Sequence, residues 1–450
     1  MKIVLAGPAR SGKSCLLIYN LSNVNCKACF LKGLRYMFSL RVPTIYLQKA
    51  EECAGSSRVL PFDFSRGINS LFILYSSGAE LFSLLEILNF RVRHSTKNKS
   101  YENIGLVVFG ILAYTRKEDL MALRVVATPA NRELGAEVCQ YLGIKMLHVE
   151  YSEFSDQEVN VKVRESCAGD IVAVIGGTHM PEKNAFYLGH TSLALRQARV
   201  RKVMNVIPYL FYARADKNDE TESGVYGTAL GAQFAINVIC QGLPDEVLLM
   251  DIHAGQLQGF FPAHIRTQKL YAGIVSVPYI QDRLDRGNTV IASPDEGSFK
   301  RTLAYAKYLG LNEKHVAVFT KARKKANEVD PASVRVIGPA LQGQKVWFID
   351  DIVDTGGTIK YAACKADNEG AASVSLYATH PVLSGRAVQT LDESPLVEFV
   401  TTNSIPKKPE ELRTERLKIT VLSHGRLISE AIKRMYEEKP LNDLILSTQK

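Results

Sequence analysis

The chain of 450 residues lacks the cysteine spacing of a structural zinc site. Its eight cysteines are scattered, and Cys26 and Cys29 form a CxxC pair that has no second pair and no HxxxH motif at zinc spacing. We therefore expect free thiols in a reducing cytosol rather than a metal site built from these residues.

A dense block of basic residues is also missing, although Lys and Arg outnumber Asp and Glu by 55 to 46. The excess of positive charge suits anionic phosphate substrates as well as it suits nucleic acid. Without an arginine-rich tail or block, we expect no nucleic-acid partner.

No long apolar run is free of charge. The most apolar stretch, 68–90, contains Glu80 and Glu86, which makes it a poor membrane span. The start MKIVLAGPARSGKS does not resemble a signal peptide, because a GKS turn interrupts its short apolar run. A cytoplasmic protein without a membrane partner is expected.

Strand-like and helix-like segments alternate from about residue 121 onward. LRVVATP (123–129) predicts a strand, and NRELGAEVCQYLG (131–143) predicts a helix that ends at Gly143. Apolar strands that alternate with helices indicate parallel sheets covered on both faces. We therefore predict two α/β domains, 121–267 and 268–450, with a last helix (424–438) that can pack on the first domain. The other predicted strands are 170–176, 202–210, 246–252, 289–295, 315–321, 345–351, 373–380, 397–403 and 418–423.

The segment KVWFIDDIVDTGGTIKYAA (345–363) predicts a site for a sugar phosphate. A buried strand ends at two adjacent carboxylates, Asp350 and Asp351, which suit ribose hydroxyls or Mg²⁺. The turn that follows opens a helix, and its glycines let backbone N–H groups and the helix N-terminus surround a phosphate. The turn consists of Asp354, Thr355, Gly356, Gly357 and Thr358.

This segment resembles the signature of type I phosphoribosyltransferases and of ribose-phosphate diphosphokinases (phosphoribosyl pyrophosphate synthetases). Five further segments are similar to the second family, in its order, so that the resemblance covers essentially all of 121–440. They are EFSDQE (153–158), PYLFYARADK (208–217), MDIHAGQLQGFF (250–261), SPDEG (293–297) and TKARKKANEV (320–329). The resemblance implies two tandem domains of the type I phosphoribosyltransferase fold. It also implies transfer of pyrophosphate from Mg-ATP to ribose 5-phosphate.

The resemblance assigns the catalytic and metal residues. It places Asp251, His253 and Asp295 at the Mg²⁺ and the triphosphate, and it makes His253 catalytic as well. Lys321 and Arg323 lie two apart at a strand end, so in extended geometry they point the same way and can stabilise charge on the transferring phosphoryl group.

The resemblance also assigns the ATP site. Phe154, Asp156 and Glu158 alternate along a segment predicted to be extended, which would place them on one face. The family holds adenine on this face from a neighbouring subunit, which implies a homo-oligomer of dimers that assemble to a hexamer. Arg214 and Asp216 would contact the nucleotide, although Ala215 stands where the family commonly has Gln. Ser298 and Phe299 also differ from the small residues that are usual after SPDEG.

The first 120 residues carry the sequence GPARSGKS after a strand-like KIVLA, which fits the P-loop spacing GxxxxGKS. Gly7, Gly12 and Lys13 would surround phosphates, and Ser14 would lie on Mg²⁺. A convincing apolar strand that ends in Asp is missing, so we favour a non-catalytic, P-loop-like extension that is incomplete or wrongly joined.

Three alternatives remain open from the sequence. A phosphoribosyltransferase shares DDIVDTGGT but has no need of DIHAG or TKAR. A non-catalytic regulatory subunit would keep the fold, and loss of the catalytic cations or the histidine would be its mark. A P-loop NTPase would depend on Lys13.

Overall fold

The computed structural model describes residues 122–217, 227–320, 334–442 and 444 with their side chains, and elsewhere only the backbone of six strands. The chain divides into two compact units, 1–120 and 121–450. In the described residues, no helix is both long and apolar enough to span a membrane.

The first unit contains a sheet in the order β2-β1-β3-β4. These strands are β1 (Lys2–Pro8), β2 (Ser14–Asn20), β3 (Thr44–Gln48) and β4 (Leu71–Phe72). β1 and β2 form an antiparallel hairpin in which Gly7 pairs with Cys15 and Pro8 with Ser14.

The strand β2 contradicts the P-loop that the sequence predicted at Gly7, Gly12, Lys13 and Ser14. A P-loop needs a helix directly after the GKS turn, because the N–H groups of its first turn bind the phosphates. The apolar sequence SCLLIYN forms a strand there instead. Gly12 and Lys13 lie outside the described residues.

The first sheet of the second unit contains five strands, all parallel, in the order β11-β10-β9-β8-β5. Strands such as IVAVI and EVLLM are buried at every position, which requires cover on both faces. An antiparallel hairpin, β6–β7, stands apart from this sheet. The elements are β5 (Leu123–Ala127), α1 (Arg132–Leu142), β6 (Val149–Glu153), β7 (Val159–Val163), β8 (Ile171–Ile175), α2 (Lys183–Gln197), β9 (Lys202–Ile207), α3 (Gly231–Cys240), β10 (Glu246–Met250), β11 (Arg266–Leu270) and α4 (Gly273–Gln281).

The second sheet contains seven strands in the order β16-β13-β12-β17-β18-β19-β20. All its pairs are parallel except β13 with the edge strand β16. The elements are β12 (Thr289–Ser293), α5 (Phe299–Tyr308), β13 (Val316–Thr320), β14 (Arg323–Lys325), β15 (Glu328–Val329), β16 (Arg335–Ile337), β17 (Lys345–Val353), α6 (Gly357–Asn368), β18 (Ser373–Pro381), α7 (Ala387–Asp392), β19 (Leu396–Thr402), β20 (Lys418–Leu422) and α8 (Gly425–Tyr436). Because β13, β12 and β17 are neighbours, the loops after them open at one edge of the sheet. The predicted α/β fold with parallel sheets is confirmed.

The last helix, α8, packs on the first sheet. Its buried residues repeat at helical spacing, and they share one hydrophobic core with residues of β5, β8 and α1. Ser423, just before α8, donates a hydrogen bond of 2.6 Å to Glu137 of α1. The chain therefore crosses twice between the two sheets, once after β11 and once after β20.

Candidate active site

Two adjacent carboxylates lie in the last part of β17, at its carboxyl end. Asp350 and Asp351 are 9% and 2% exposed, so neither charge is well hydrated. Burial, followed by the negative charges of Asp351 and Asp295, raises the pKa of Asp350 well above its usual value. Burial would also raise the pKa of Asp351, but the positive charge of Arg301 and a hydrogen bond to His253 lower it below its usual value. The two carboxyl groups are therefore driven toward different protonation states.

Arg301 is the counter-ion of this pair, and it was not predicted from the sequence. Its Nη1 lies 3.0 Å from Asp351 Oδ1 and 3.8 Å from Asp350 Oδ1. Arg301 belongs to α5, the helix after the SPDEG turn, and its side chain is 21% exposed. A buried pair of carboxylates requires a cation nearby, and this requirement was the only signal in the sequence for such a residue.

His253 connects the first sheet to this pair. It follows β10, and its Nδ1 lies 2.7 Å from Asp351 Oδ2. That hydrogen bond, acting against burial, raises the pKa of His253 above its usual value. The contact joins residues 98 positions apart and brings the two motifs, MDIHAG and FIDDIVDTGGT, into one site.

Asp251, the second residue of the MDIHAG motif, is held by structural contacts. Its Oδ1 accepts a hydrogen bond from Ala272 N at 3.2 Å, and its Oδ2 accepts one from Thr379 Oγ1 at 2.6 Å. Its φ is 38°, which is unusual for a residue other than glycine, and its carbonyl lies 3.1 Å from His380 Nε2. These contacts aim the chain that leads to His253, and a role of Asp251 at the metal stays a prediction.

Asp295 lies just beyond β12 and is connected to the carboxylate pair through one residue. Ser298 N donates to Asp295 Oδ1 at 3.2 Å, and Ser298 Oγ donates to Asp350 Oδ1 at 2.5 Å. The SPDEG turn and the end of β17 therefore meet, as expected for neighbouring parallel strands.

The predicted phosphate loop, 354–358, joins β17 to α6. Gly356 has a φ of 77°, and a Cβ on it would lie 3.2 Å from Leu391, so the backbone here requires glycine. Ser384 N donates to the Asp354 carbonyl at 3.0 Å, which holds the loop against the segment before α7. Thr355 is exposed, while Gly357 and Thr358 begin α6 in half-buried positions.

One predicted nucleotide residue contacts the phosphate loop directly. Arg214 Nη2 lies 2.8 Å from Asp354 Oδ2, with side chains 51% and 27% exposed. Asp216, close by in the chain, accepts a hydrogen bond of 2.7 Å from Gln256 Nε2. The YARADK and MDIHAGQ segments therefore lie together beside the phosphate loop.

The prediction of an extended EFSDQE segment is wrong. Residues 154–158 form the tip of the β6–β7 hairpin, where Phe154 N donates to the Glu158 carbonyl at 2.9 Å and Gln157 N donates to the Phe154 carbonyl at 2.9 Å. The prediction rested on the alternation of side chains, which is typical of a strand. The chain reverses here instead, with Gln157 in the left-handed region of the backbone at a φ of 73°. Phe154, Asp156 and Glu158 are all exposed at this tip.

The hairpin itself is attached to α2. Glu153 Oε1 lies 2.8 Å from both Lys183 Nζ and Tyr187 Oη. Among the residues whose side chains the structure describes, no hydrogen bond or ion pair joins the residues of the hairpin tip to the carboxylate pair. Lys321 lies outside the described residues, and Arg323 begins β14, of which the structure describes the backbone.

The described side chains do not form a complete set of ligands for a metal ion. In the ranges with described side chains, no group of three His, Cys, Asp or Glu residues is gathered around one point. Mg²⁺ usually takes one or two carboxylates together with substrate phosphates and water, so the oxygen ligands present at the site suit an ion that arrives with a nucleotide.

The chain is similar to known proteins over most of the second unit. The family model described as the N-terminal domain of ribose phosphate pyrophosphokinase matches residues 123–236. A second model, the phosphoribosyl synthetase-associated domain, matches residues 324–445.

Individual relatives give the same result. The ribose-phosphate pyrophosphokinase of Hyphomonas neptunium is 34% identical over 323 residues, which cover 72% of this chain and 99% of the relative. The protein of the same name from Campylobacter jejuni is 35% identical over 324 residues, again 72% of this chain and 99% of the relative. The crystal structure of phosphoribosylpyrophosphate synthetase from Mycobacterium smegmatis has 27% identity and a TM-score of 0.62, and the match covers 70% of this chain and 99% of that one. This chain belongs to the ribose-phosphate pyrophosphokinase family, as its motifs indicated.

Proposed function

We propose that this protein transfers the pyrophosphoryl group of Mg-ATP to the anomeric hydroxyl of ribose 5-phosphate, which gives phosphoribosyl diphosphate and AMP. The hydroxyl oxygen forms a bond to the β-phosphorus of ATP. The bond from that phosphorus to the oxygen shared with the α-phosphorus breaks, and the hydroxyl proton passes to water.

The observation that carries this proposal is the contact between His253 and Asp351. It joins the carboxyl end of a strand in the first sheet to that of a strand in the second, at 2.7 Å. Ligands of open α/β sheets bind beyond the carboxyl ends of the strands, so two substrates that approach from two sheets meet here.

The ribose 5-phosphate site would lie on β17 and the loop after it. The loop 354–358 and the N-terminus of α6 supply N–H groups for the 5-phosphate. Asp350 and Asp351 would form hydrogen bonds with the ribose hydroxyls. Because the pKa of Asp350 is raised and that of Asp351 is lowered, a protonated Asp350 could donate such a bond and an ionised Asp351 could accept one. Arg214 offsets the negative charge of Asp354 beside the phosphate.

The nucleotide site would face it from the first sheet, with Arg214 and Asp216 on the nucleotide. Phe154, Asp156 and Glu158 lie exposed at the hairpin tip, where they would serve the adenine of a neighbouring subunit in a homo-oligomer. Mg²⁺ would be bound mainly by the triphosphate, with Asp295, His253 and Asp251 as separate further contacts, and it would neutralise charge on the triphosphate.

Lys321 and Arg323 follow β13, next to β12 in the second sheet. Two cations beside the transferring group stabilise charge that grows on its oxygens, so most of the rate comes from positioning and electrostatics. Residues 1–120 are proposed to be a non-catalytic extension, followed by the two domains of the enzyme. The boundary between these domains is proposed to lie after β11 and not at residue 267, because β11 (Arg266–Leu270) belongs to the first sheet.

The test is formation of AMP and phosphoribosyl diphosphate by the purified full chain from Mg-ATP and ribose 5-phosphate. Lys321→Ala should lower kcat by about a hundredfold or more. Lys324→Ala, in the same basic stretch, is the matched control and should change kcat by less than about threefold.

Other outcomes identify the alternatives. Consumption of phosphoribosyl diphosphate with a nucleobase, and no AMP from ATP, would indicate a phosphoribosyltransferase. Nucleotide hydrolysis that Lys13→Ala abolishes and Lys321→Ala leaves unchanged would indicate a P-loop NTPase. An inactive protein that raises the activity of a partner would indicate a regulatory subunit.

A further inference from the structure

Ser298 contacts two carboxyl groups of the site at once. Its Oγ donates to Asp350 Oδ1 at 2.5 Å, and its backbone N donates to Asp295 Oδ1 at 3.2 Å. The residue is 5% exposed and precedes α5 as its N-cap. One buried residue therefore connects the SPDEG turn to the carboxyl end of β17.

The Ser298 hydroxyl lies closer to the Asp350 carboxyl group than the side chain of Arg301 does. Asp351 N also donates to Oδ1, at 2.9 Å, while the guanidinium of Arg301 is 3.8 Å away, too far for a hydrogen bond. Two fixed donors on one oxygen set the rotation of the carboxyl group, and they thereby set the direction in which the second oxygen points.

Ser298 is itself held in place. Its carbonyl accepts a hydrogen bond of 3.0 Å from Thr302 Oγ1 and one of 3.0 Å from Thr302 N, one turn into α5. Its φ of −87° and ψ of 0° are open to any residue other than proline. Removal of the hydroxyl can therefore be tested without strain in the backbone.

We propose that Ser298 is a positioning residue for ribose 5-phosphate, whose hydroxyl orients the Asp350 carboxyl group toward the ribose hydroxyls. The proposal rests on the proposed function, because it places the sugar at Asp350. It goes beyond the sequence resemblance, in which Ser298 stands where small residues are usual and no role is implied.

The experiment measures binding and turnover separately with the full chain. Calorimetry gives the Kd for ribose 5-phosphate, and steady-state assays give KM for each substrate. Ser298→Ala should raise Kd and KM for ribose 5-phosphate by about tenfold, the effect of one lost hydrogen bond to a charged or strongly polar group. KM for ATP should change by less than about twofold. Ser298→Thr keeps a hydroxyl and should restore most of the affinity, and Ser298→Gly should behave as Ser298→Ala does.

Ser429→Ala is the matched control. Ser429 is 6% exposed, its Oγ donates to the Arg426 carbonyl at 2.7 Å, and it belongs to α8, which packs on the first sheet. It should lower the Tm without a selective change in the Kd for ribose 5-phosphate.

Three results would overturn the proposal. One is an unchanged Kd for ribose 5-phosphate in Ser298→Ala. Another is an equal rise in both KM values together with a fall in Tm like that of Ser429→Ala, which would mean a purely structural role. The third is no binding of ribose 5-phosphate by the unaltered protein. Binding of ribose 5-phosphate without AMP formation would instead refute the proposed reaction, and the Kd ratio would still decide the role of Ser298.

Discussion

At the scale of single residues, the site holds two buried carboxyl groups with opposite shifts. The pKa of Asp350 is raised by burial and by its acidic neighbours, whereas Arg301 and His253 hold the pKa of Asp351 down despite its burial. A buried carboxyl group among other acids, such as Asp350, destabilises the folded protein, and groups of this kind are common at functional sites.

Asp350→Asn should therefore stabilise the protein while it lowers activity. The folded state holds the Asp350 proton more tightly than the unfolded state, so stability falls as pH rises above the ordinary value of 3.8. At pH 8 the variant should have a Tm higher by about 2–4 °C, and at pH 4 the gain should shrink. kcat/KM for ribose 5-phosphate should fall by about tenfold or more. Calorimetric melts at both pH values and a steady-state assay test this, and a lower Tm at pH 8 would contradict it.

Arg301→Met should destabilise the protein, because it leaves the Asp351 charge with His253 as its remaining partner. The loss of one member of a buried ion pair costs about 3 kcal/mol. Lys300→Met, an exposed neighbour on α5, should change the free energy of unfolding by less than about 0.5 kcal/mol. Chemical unfolding of both variants measures the difference, and similar values would rule out Arg301 as the counter-ion.

At the scale of elements, the turn between β17 and α6 shows what a contiguous motif reveals. The strand, the acidic pair, the glycines and the helix are neighbours in sequence, so local rules were enough to predict their arrangement. The hairpin 149–163 was missed, and its tip was taken for a strand, because alternation of side chains does not show where the chain reverses. The GKS segment failed for a related reason, since a motif of a few residues does not determine whether a helix or a strand follows.

The two glycines of the turn should respond differently to substitution by alanine. Gly356 has a positive φ, and a Cβ added to it would lie 3.2 Å from Leu391. Gly357 lies in the first turn of α6, and the nearest side-chain atom to an added Cβ, Thr355 Oγ1, would be 3.8 Å away. Gly356→Ala should lower the free energy of unfolding by about 1–3 kcal/mol, and Gly357→Ala should change it by less than about 1 kcal/mol. Denaturant titrations of the two variants compare them directly. Equal losses would mean that the backbone at Gly356 is not the constraint.

At the scale of the whole molecule, the two sheets and the packing of the last helix on the first sheet were predicted from the sequence, while the individual contacts between the sheets were not. Alternating apolar strands and helices specify each sheet. The pairs that join the sheets, such as His253 with Asp351 and Glu137 with Ser423, are separated by 98 and 286 residues and follow only from the assembled fold. Arg301 and Ser298 became visible for the same reason, since each acts on a carboxylate about fifty residues away.

Acid should weaken the second unit through His424. This residue is 0% exposed, and burial, followed by repulsion from His380, lowers its pKa to about 3. The folded state stays neutral while the unfolded state takes up a proton below the ordinary value of 6.5, so stability falls as pH drops from about 6.5 toward about 3. His424→Leu should reduce the loss of stability between pH 7.5 and pH 5. Denaturant midpoints of the unaltered protein and the variant at the two pH values test this. The same difference between pH 7.5 and pH 5 in both proteins would show that His424 does not cause the loss of stability.

The packing of α8 on the first sheet has a consequence for synthesis. Leu427, Ile428 and Ile432 complete a core whose other members, from β5, β8 and α1, leave the ribosome roughly 250 residues earlier at an ordinary rate of elongation. The part of that sheet's face that α8 covers stays exposed on the nascent chain until α8 has emerged from the ribosome. Chaperone binding to stalled chains that end before Gly425, and its loss once α8 has emerged, is the behaviour that this late closure entails.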